Sequence, residues 1–419
     1  MNGLKKCIQR YRSTSLIIRI LIGLIIGTVL GVLFKDLQWI SVLGDVFKGS
    51  LRSIAPILVF VLITSSLAQS NSKMDRRFVR VIFLYMLSTL LAAVVAVVGS
   101  YLFPQTLVLS GEVAQEAAPS GIGEVIANLI NNVVSNPVEA LATANYVSIL
   151  FWSILLGLAL KSLASDQTKQ MLVDISEGIS QLVRWIIEFA PFGILGLSYA
   201  SISQNGLEIF TSYGKLLLLL VGCMLAVALI VDPLISFLFL RRNPYPLVFR
   251  CLKESGLMAF FTRSSAANIP INMALCEKLG LDEEMYSVSI PLGATINMDG
   301  AAITITVFAL ATAHTMGIHV DIATAFVLSV LATFAACGAS GVAGGSLLLI
   351  PMACSLFGIS GDIAMQAVGI GFIIGVVQDS VETALNSSGD VMFAATAEYA
   401  QWLKEGRELP DFMKRKKKK

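Results

Sequence analysis

The sequence QDSVETALNSSGD, residues 378–390, places three carboxylates inside an apolar segment that runs from 361 to 396. At 100° per residue on a helix, one polar stripe holds Asp379, Thr383, Asn386 and Asp390. Glu382 lies about 60° from Asp379, at the margin of this stripe. Each carboxylate inside a bilayer costs about 2.5 to 3.5 kcal/mol on insertion scales. Three in one helix therefore indicate a path for an ion or a substrate in the interior of a membrane protein.

The composition agrees with a membrane location. Of 419 residues, 56% are hydrophobic and 14% are charged, with a mean hydropathy of +0.78, whereas soluble domains contain about 25% charged residues. These values exclude a soluble globular enzyme. The net charge of +2 provides no field that would attract nucleic acid. Six scattered cysteines without a CxxC pair predict neither a disulfide framework nor a zinc site.

Eight apolar segments are long enough to be spanning helices. We predict these spans at 15–34, 46–68, 79–103, 145–163, 181–201, 215–240, 285–311 and 361–396. Two further apolar stretches, 247–276 and 322–358, are broken near the middle by small polar residues. The sequence therefore predicts an all-α polytopic membrane protein.

The distribution of Lys and Arg predicts the orientation, because positively charged loops remain on the cytoplasmic side. Residues 81–160 contain no Lys or Arg, so the connection between spans three and four is predicted to be external. Basic residues follow spans two, four and six, which places those loops and both termini inside. Eight spans with both termini inside agree with these loop positions only if each broken stretch enters and leaves the membrane on one side, as a re-entrant hairpin. Parity alone leaves open that a broken stretch is two short spanning helices.

Both broken stretches have unusual turns. The first turns at TRSSAANIP, residues 262–270, and the second at GASGVAGGS, residues 338–346. Non-helical backbone at membrane depth is stable only inside protein or beside water, and four glycines in nine residues permit close approach to a ligand. Alternatively, the first turn is a cytoplasmic loop between two helices, and the small residues of the second turn allow tight helix packing.

The seventh span contains PLGATINMDG, residues 291–300, with an amide and a carboxylate between helix-breaking residues. Unwinding at this point frees backbone carbonyls, and interrupted helices at the midplane are how secondary transporters present such oxygens to sodium. The span therefore predicts an oxygen-lined cation site. Neither this span nor the eighth contains Lys or Arg, so the balancing cation is Arg263, a metal ion, a proton or a substrate ammonium. Asp232 and Glu188, each close to a proline, are interpreted as helix-packing or interface residues.

These four motifs follow one another along the chain at 262–270, 291–300, 338–346 and 378–390. With them, the chain resembles the dicarboxylate/amino acid:cation symporters, the family that includes the glutamate transporters. The resemblance covers essentially the whole chain and is strongest over 259–395. Within the family the sequence of 378–388 is most similar to the bacterial sodium:serine/threonine symporters.

The resemblance implies a glutamate-transporter-like fold with inverted repeats, eight transmembrane helices and two re-entrant helical hairpins. It implies scaffold helices at 1–78 and 145–201, and transport-domain segments at 79–103 and 202–400. The segment 104–144 is then an external loop and 401–419 a basic cytoplasmic tail. A homotrimer in the bacterial inner (plasma) membrane is also implied.

The resemblance also implies roles for individual residues. Asp379 binds the substrate ammonium, and Asn386 with Ser265 binds its α-carboxylate. The substrate-binding set is Ser264, Ser265, Val342, Asp379, Glu382, Thr383 and Asn386. Sodium ions are the coupling ions, with no other cofactor, and their set is Tyr85, Ser88, Thr89, Gly293, Thr295, Asn297, Asp299, Asn386 and Asp390. Within this set, Asp390 forms one site with carbonyls of Gly293, Asn297 and Asn386, Thr295 lies near a second, and Asp299 forms a deeper third with Asn297, Tyr85, Ser88 and Thr89.

Two departures from the family pattern predict the substrate class. Members for acidic substrates have an arginine where Glu382 stands and a threonine where Ala301 stands. A second carboxylate near Glu382 would be repelled, so acidic substrates are disfavoured. A small hydroxylated amino acid, L-serine or L-threonine, fits, because Glu382 can accept a hydrogen bond from its hydroxyl.

We therefore expect a sodium-coupled symporter that imports serine and threonine by alternating access, and not an enzyme. A proton-coupled symporter of amino acids or dicarboxylates is the alternative within the same fold. An intramembrane aspartyl protease is the alternative from another class, but it requires a GxGD-type helix. The nearest sequences here are MDG at 298–300 and SGD at 388–390.

Overall fold

The computed structural model describes residues 14–69, 76–109, 133–207, 209–339 and 344–413. Within these ranges the chain forms helices and connections and contains no β-strand. The predicted all-α class is therefore confirmed for the described part of the chain. Of the predicted segments, most of the external loop, Val342 and the last six residues of the tail lie outside the described residues.

The α-helices follow one another along the chain, and most of the connections between them are short. Their bounds are α1 Leu16–Leu33, α2 Ser41–Gln69, α3 Arg76–Leu102, α4 Pro137–Thr143, α5 Tyr146–Leu163, α6 Asp166–Glu188, α7 Ala190–Asn205, α8 Ile209–Ala226, α9 Asp232–Leu240, α10 Tyr245–Cys251, α11 Leu257–Thr262, α12 Ser265–Lys278, α13 Glu283–Ile296, α14 Asp299–Thr315, α15 Ile322–Ala336, α16 Ile350–Ser355 and α17 Gly361–Lys404. Short 3₁₀ turns are Gln38–Ile40, Ser346–Leu349 and Asp411–Met413, and π-helical turns are Val227–Val231 and Leu252–Gly256.

Five helical rods of the described chain are long and apolar enough to cross a membrane. They are α2 with its preceding turn, α3, α8 to α9, α13 to α14, and α17. The pair α6 and α7, bent by 53°, makes a sixth if it is one span, and α1 and α5 are shorter apolar helices. Several spans are thus present where the sequence predicts them, and the full count of eight with two re-entrant hairpins stays a prediction.

One group of helices consists of α1, α2, α5, α6 and α7, which pack mainly on one another. Glycines allow the backbones of α1 and α7 to touch. A Cβ added to Gly23 would lie 2.1 Å from the carbonyl oxygen of Pro191, and one on Gly27 would lie 2.3 Å from that of Leu195. Small residues of this kind stabilise helix pairs in membranes, where apolar surface alone gives little driving force.

The second group surrounds α17, which is buried along most of its length. Helices α3, α8 to α9 and α10 to α16 pack against α17 or against α14. The helix α14 is buried from Asp299 to Ala313. All polar groups of this interior must therefore find partners inside the protein.

The first broken stretch forms a helical hairpin. Its arms are α10 to α11 and α12, and the turn consists of Arg263 and Ser264. Arg263 has a left-handed φ of +52°, and the Ser264 hydroxyl accepts a hydrogen bond from the Ala267 N–H, which caps α12. Asn268 in the second arm contacts Ser255 in the first, so the arms lie side by side. The second stretch consists of α15, then the 3₁₀ turn at Ser346 and α16, and residues 340–343 of its turn lie outside the described residues.

Two π-helical turns alter helix register beside the buried interior. The turn Val227–Val231 directly precedes Asp232, and the turn Leu252–Gly256 contains Ser255. A π-helical turn inserts a residue into a helix and rotates the following side chains, and such turns are frequent at functional sites. Both Asp232 and Ser255 are buried in polar contacts that are described below.

Candidate substrate and cation site

The seventh predicted span is interrupted, as its sequence indicates. The helix α13 ends at Ile296, α14 begins at Asp299, and Asn297 and Met298 between them have non-helical backbone dihedrals. In a continuous helix the N–H of Met298 would bond to the carbonyl of residue 294, and that of Gly300 to the carbonyl of Ile296. Instead Met298 donates to Thr89 Oγ1 at 3.3 Å and Gly300 donates to Asn386 Oδ1 at 2.7 Å. The carbonyls of residues 294 and 296 therefore lose their helical donors.

Asp390 forms the first polar cluster at this break. Asn297 Nδ2 donates to Asp390 Oδ1 at 3.0 Å and to the carbonyl of Asn386 at 3.1 Å. The Tyr85 hydroxyl donates to the carbonyl of Asp390 at 3.0 Å or to that of Ser289 at 3.3 Å. Asp390 Oδ2 and Asn297 Oδ1 are buried and have no hydrogen-bond partner among the described residues. Two unpartnered oxygen acceptors at the break in the helix are the kind of ligand that a hard cation prefers.

Asp299 forms a second cluster on the other side of the break. The Thr89 hydroxyl donates to Asp299 Oδ1 at 2.8 Å. The Ser88 hydroxyl contacts Asp299 Oδ2 and lies 3.0 Å from Asp232 Oδ1. Both carboxylates are buried, with exposed fractions of 0% and 2%, and no Lys or Arg of the described chain forms an ion pair with either. Because a serine hydroxyl has a single proton, Ser88 cannot satisfy both carboxylates, and a cation or a second proton is required.

Asp379 lies between the two hairpin turns. Arg263 Nε donates to Asp379 Oδ2 at 2.6 Å, and a second guanidinium nitrogen donates to the carbonyl of Gly375 at 3.4 Å. The N–H of Gly344, after the second turn, donates to Asp379 Oδ1 at 3.1 Å. Arg263 is thus the cation that balances Asp379 in this structure, and the remaining cavity beside the pair is only about 10 Å³.

Glu382 accepts three hydrogen bonds on one oxygen. Thr304, Ser346 and Gln378 donate to Oε2 at 2.7, 2.9 and 2.5 Å. Gln378 Nε2 also donates to the Thr304 hydroxyl at 2.8 Å. These donors come from α14, from the second hairpin and from α17 itself, so they fix the carboxylate firmly. No described residue donates to Oε1, which is left as an acceptor.

A further buried cluster joins the first hairpin to α17. Asn268 donates to the Ser387 hydroxyl at 2.7 Å, and Asn272 donates to the same hydroxyl at 3.0 Å and to the Ser387 carbonyl at 3.1 Å. Ser255 donates to Asn272 Oδ1 at 2.6 Å. These four residues are fully buried. The cluster adds polar contacts to the apolar packing that holds the first hairpin against α17.

The structure brings some of the predicted site residues together. Tyr85, Gly293, Asn297 and Asn386 surround Asp390, whereas Ser88 and Thr89 contact Asp299. The deeper site predicted around Asp299 is thus divided, because Tyr85 and Asn297 face Asp390.

Three other predicted residues, Thr383, Thr295 and Ser265, form no side-chain hydrogen bond to Asp390 or Asp299. The hydroxyls of Thr383 and Thr295 bond to carbonyls of their own helices, those of Asp379 and Leu292. Ser265 is buried next to the first turn without a hydrogen bond to any described residue.

Several residues of the site were not expected from the sequence. Thr304, Ser346 and Gln378 were not assigned a role, although Gln378 lies one turn before Glu382 on the same helix. Asp232 was interpreted as a packing residue, and the structure places it against Ser88. The sequence does contain an indication for Asp232, because a carboxylate inside an apolar span usually has a functional role.

Comparison with known proteins gives the family and close relatives. A model of the sodium:dicarboxylate symporter family matches residues 16–399. A protein of Bifidobacterium adolescentis named serine/threonine transporter SstT is 61% identical over 407 residues, which are 97% of this chain and 95% of that protein. A protein of the same name from Streptococcus thermophilus is 54% identical over 96% of this chain and 100% of its own length. One from Streptococcus agalactiae is 55% identical over 94% and 98%, respectively.

Proposed function

Because the chain belongs to the sodium:dicarboxylate symporter family, we propose that it is a sodium-coupled symporter that imports serine and threonine. Membership in a family of symporters also makes it a transporter and not an enzyme. The substrate follows from the names of relatives that are 54% to 61% identical over nearly their full length. The observation that carries the mechanism is that α17 presents Asp390 to the interrupted span and Asp379 to the two hairpin turns.

The first sodium ion binds at Asp390. Its unpartnered Oδ2, the unpartnered Oδ1 of Asn297 and nearby backbone carbonyls support this assignment. A buried carboxylate that is ionised and unpaired is unfavourable. Sodium therefore stabilises the ordered form of the break, and this ordered form is the one that receives the substrate.

A second sodium ion binds between Asp299 and the hydroxyls of Ser88 and Thr89. The carboxylate of Asp232, 3.0 Å from Ser88 Oγ, adds a negative charge to this site that the sequence had not assigned to it. Two carboxylates with hydroxyl oxygens form an all-oxygen environment, which hard cations prefer. A further sodium site lies near Thr295 and the second hairpin turn in this proposal, as the family resemblance implies.

The substrate zwitterion binds next to these ions. Its ammonium replaces the Arg263 guanidinium at Asp379, so Arg263 must withdraw when the substrate enters. Asn386 Nδ2 has only the weak acceptor Met298 Sδ, at 3.4 Å, among the described residues, which leaves this amide able to donate to the α-carboxylate. Ser264 and Ser265 of the first turn, Thr383 and Val342 complete the proposed pocket.

Glu382 determines the substrate class. Its Oε2 is held by three donors, and its Oε1 accepts a hydrogen bond from the substrate hydroxyl. Hydrogen bonds to charged groups contribute about 1.5 to 3 kcal/mol. A substrate with a side-chain carboxylate would instead face a second negative charge in a buried site, so acidic amino acids are excluded.

Transport occurs by alternating access, with the helices around α17 moving as one unit. We assign the transport domain to 79–103 and 202–400 and the scaffold to 1–78 and 145–201. The separation of the helices into two packing groups supports this division. Each net positive charge that moves inward gains about 2.3 kcal/mol per 100 mV of membrane potential. One or more sodium ions can therefore drive accumulation of a neutral zwitterion.

The membrane location, the topology and the oligomeric state are proposed from the sequence and the family resemblance. The protein lies in the bacterial inner membrane with cytoplasmic termini and inverted repeats, and it forms a homotrimer through the scaffold. Native mass spectrometry of the purified protein measures the oligomeric state, and a monomer would contradict the trimer.

Proton coupling is the second candidate, and one observation favours it. The single proton of Ser88 lies between Asp232 and Asp299, and a proton on one carboxylate would satisfy both contacts. The same geometry thus fits a proton as well as a sodium ion, and transport measurements decide between them.

Uptake of labelled serine into proteoliposomes tests both candidates. A sodium gradient and a pH gradient are imposed separately, with threonine, alanine and glutamate as unlabelled competitors. We expect accumulation with the sodium gradient alone and strong competition by threonine. Accumulation with the pH gradient alone would contradict sodium coupling, and competition by glutamate equal to that by threonine would contradict the role of Glu382.

A further inference from the structure

A large groove lies far from the site described above, where α9 ends and the chain leaves α17. Its volume is about 1000 Å³. It is lined by the π-helical turn before α9 and by α9 itself, by the following loop 241–244, by Tyr245 and by residues of the segment from Leu403 to Met413. The basic residues of the loop predict that this end of the protein faces the cytoplasm. The groove therefore opens at the level where a spanning helix meets the inner leaflet.

One wall of the groove is apolar and exposed. Ile230, Leu234 and Phe237 have exposed fractions of 63%, 54% and 47% and lie on one face of the rod that α8 and α9 form. This rod is among those long and apolar enough to cross a membrane. Exposed apolar side chains on such a rod face hydrocarbon, so an acyl chain can lie along this wall.

The rim of the groove is basic. Arg241, Arg242 and Arg407 line it, and within the described chain none of them forms an ion pair with a carboxylate. The guanidinium of Arg407 lies 4.2 Å from the ring centroid of Trp402, which fixes its direction. Glu408 is the acidic residue of the lining, so the positive charges exceed the negative ones. Guanidinium groups bind phosphate oxygens in a bidentate manner, which makes arginine well suited to phosphate recognition.

We propose that this groove binds an anionic diacyl phospholipid of the inner leaflet. The headgroup phosphate is bound by Arg241, Arg242 and Arg407, and one acyl chain packs along Ile230, Leu234 and Phe237. A soluble anion would leave the apolar wall exposed, and a zwitterionic lipid would leave the excess positive charge unbalanced. Charge complementarity and the continuous apolar wall together fit an anionic lipid.

The groove lies entirely on elements that pack around α17. A lipid bound there is attached to the part of the protein that we propose to move. Its headgroup must stay at the membrane surface, so binding is expected to favour the conformation in which the arginines are at that level. The lipid therefore acts on the transport rate without contact to serine or sodium.

Native mass spectrometry of the full-length detergent-solubilised protein tests the proposal. Phosphatidylglycerol and phosphatidylcholine are titrated separately, and inorganic phosphate is added as a soluble competitor. We expect tighter binding of phosphatidylglycerol, with a loss of about fivefold for each arginine removed, which corresponds to the contribution of one basic residue near anionic lipid. The variants are Arg241→Gln, Arg242→Gln and Arg407→Gln, singly and together.

Matched controls separate a site from a general charge effect. Arg184→Gln removes the same charge from the exposed face of α6, and deletion of 414–419 removes the six basic residues at the end of the tail. Both controls are expected to retain selective binding of phosphatidylglycerol. Arg242→Gln is the decisive single variant, because Arg242 is exposed and its side chain forms no hydrogen bond or ion pair with a described residue. Arg241, in contrast, adopts a left-handed cap, and Arg407 packs on Trp402.

Three results would overturn the proposal. The first is equal affinity for phosphatidylglycerol in the wild-type protein and the triple variant. The second is displacement of the lipid by millimolar inorganic phosphate, which would indicate a simple anion site. The third is loss of selective binding on deletion of 414–419 alone, with the arginine variants unaffected, which would assign the effect to those six residues.

Discussion

Asn297 donates a hydrogen bond to Asp390 at 3.0 Å and joins the interrupted seventh span to the polar stripe of α17. The other carboxylate oxygen of Asp390, Oδ2, and the amide oxygen of Asn297 are both buried and have no hydrogen-bond partner among the described residues. A buried acceptor without a partner is unfavourable. The pair is therefore an incomplete site, and a cation that completes it also stabilises the break in the helix.

Removal of the negative charge in Asp390→Asn is expected to weaken sodium binding. The amide keeps the size of the side chain, but it loses the charge that attracts the ion. Since interactions with a charged group contribute about 1.5 to 3 kcal/mol, the sodium concentration for half-maximal serine uptake should rise by about tenfold or more. Serine affinity measured at saturating sodium should change much less. An unchanged sodium dependence would contradict the assignment of Asp390.

Removal of Arg263 is expected to increase the effect of serine on stability. In the substrate-free protein, Arg263→Ala leaves Asp379 buried and unpaired, and breaking a buried ion pair in this way costs about 3 to 5 kcal/mol. The ammonium of serine restores the missing charge. The variant should therefore melt at a lower temperature without serine and show a larger stabilisation by serine than the wild-type protein.

The ion pair of Arg52 with Asp362 supplies the control for this experiment. Their side chains are 51% and 75% exposed, and exposed pairs contribute about 0 to 1 kcal/mol. Arg52→Ala should have little effect on melting, with or without serine. If Arg263→Ala behaves in the same way as Arg52→Ala, Asp379 is not the ammonium site.

Glu382→Gln is expected to reduce the preference for serine over alanine. The two substrates differ by the hydroxyl that Oε1 of Glu382 is proposed to bind. Loss of the charge should decrease the ratio of their affinities by about tenfold. Thr304→Val removes one of the three donors to Oε2 and should give a smaller decrease, because the carboxylate remains but is held less firmly. Competition of alanine against labelled serine measures both, and an unaltered ratio in Glu382→Gln rules out the contact.

Asp232→Asn separates a sodium ligand from a proton carrier. If Asp232 contributes charge to the sodium ion at Asp299, the variant requires about tenfold more sodium at every pH. A change in the pH dependence of uptake with an unaltered sodium requirement would support proton coupling instead. Ser236→Ala, one turn further along α9, removes a buried hydrogen bond to Thr396 and should alter neither dependence.

The break in the seventh span and the stripe of α17 could be predicted because their polar groups have no alternative in a membrane. An amide and a carboxylate between Pro291 and Gly300 must face the interior, and the periodicity of a continuous helix places Asp379 and Asp390 on one face. Both features depend only on distances along a single helix. They require no knowledge of how one helix is rotated against another.

The partners of Asp232 and Glu382 could not be predicted, because they depend on how one helix is rotated against another. Asp232 follows a π-helical turn, which rotates the rest of α9 relative to the register read from the sequence. The donors to Glu382 come from three elements, and their convergence depends on the packing of α14 and the second hairpin on α17. Arg263 could be named as a possible cation, but only the left-handed turn of the hairpin directs it toward Asp379.

Gly293→Ala is expected to abolish sodium-dependent uptake, because the Asp390 site has no room for a methyl group. An added Cβ would lie 2.8 Å from Asp390 Oδ1 and 2.9 Å from the Tyr85 hydroxyl oxygen. Relief of these contacts requires displacement of the carboxylate or of the tyrosine, and overpacking of this kind costs about 1 to 3 kcal/mol. Gly214→Ala is the matched control, since a Cβ there meets no atom within 4 Å and alanine favours a helix by about 1 kcal/mol. Sodium-driven serine uptake and melting temperature measure the pair, and normal uptake in Gly293→Ala would show that the proposed ion does not bind at Asp390.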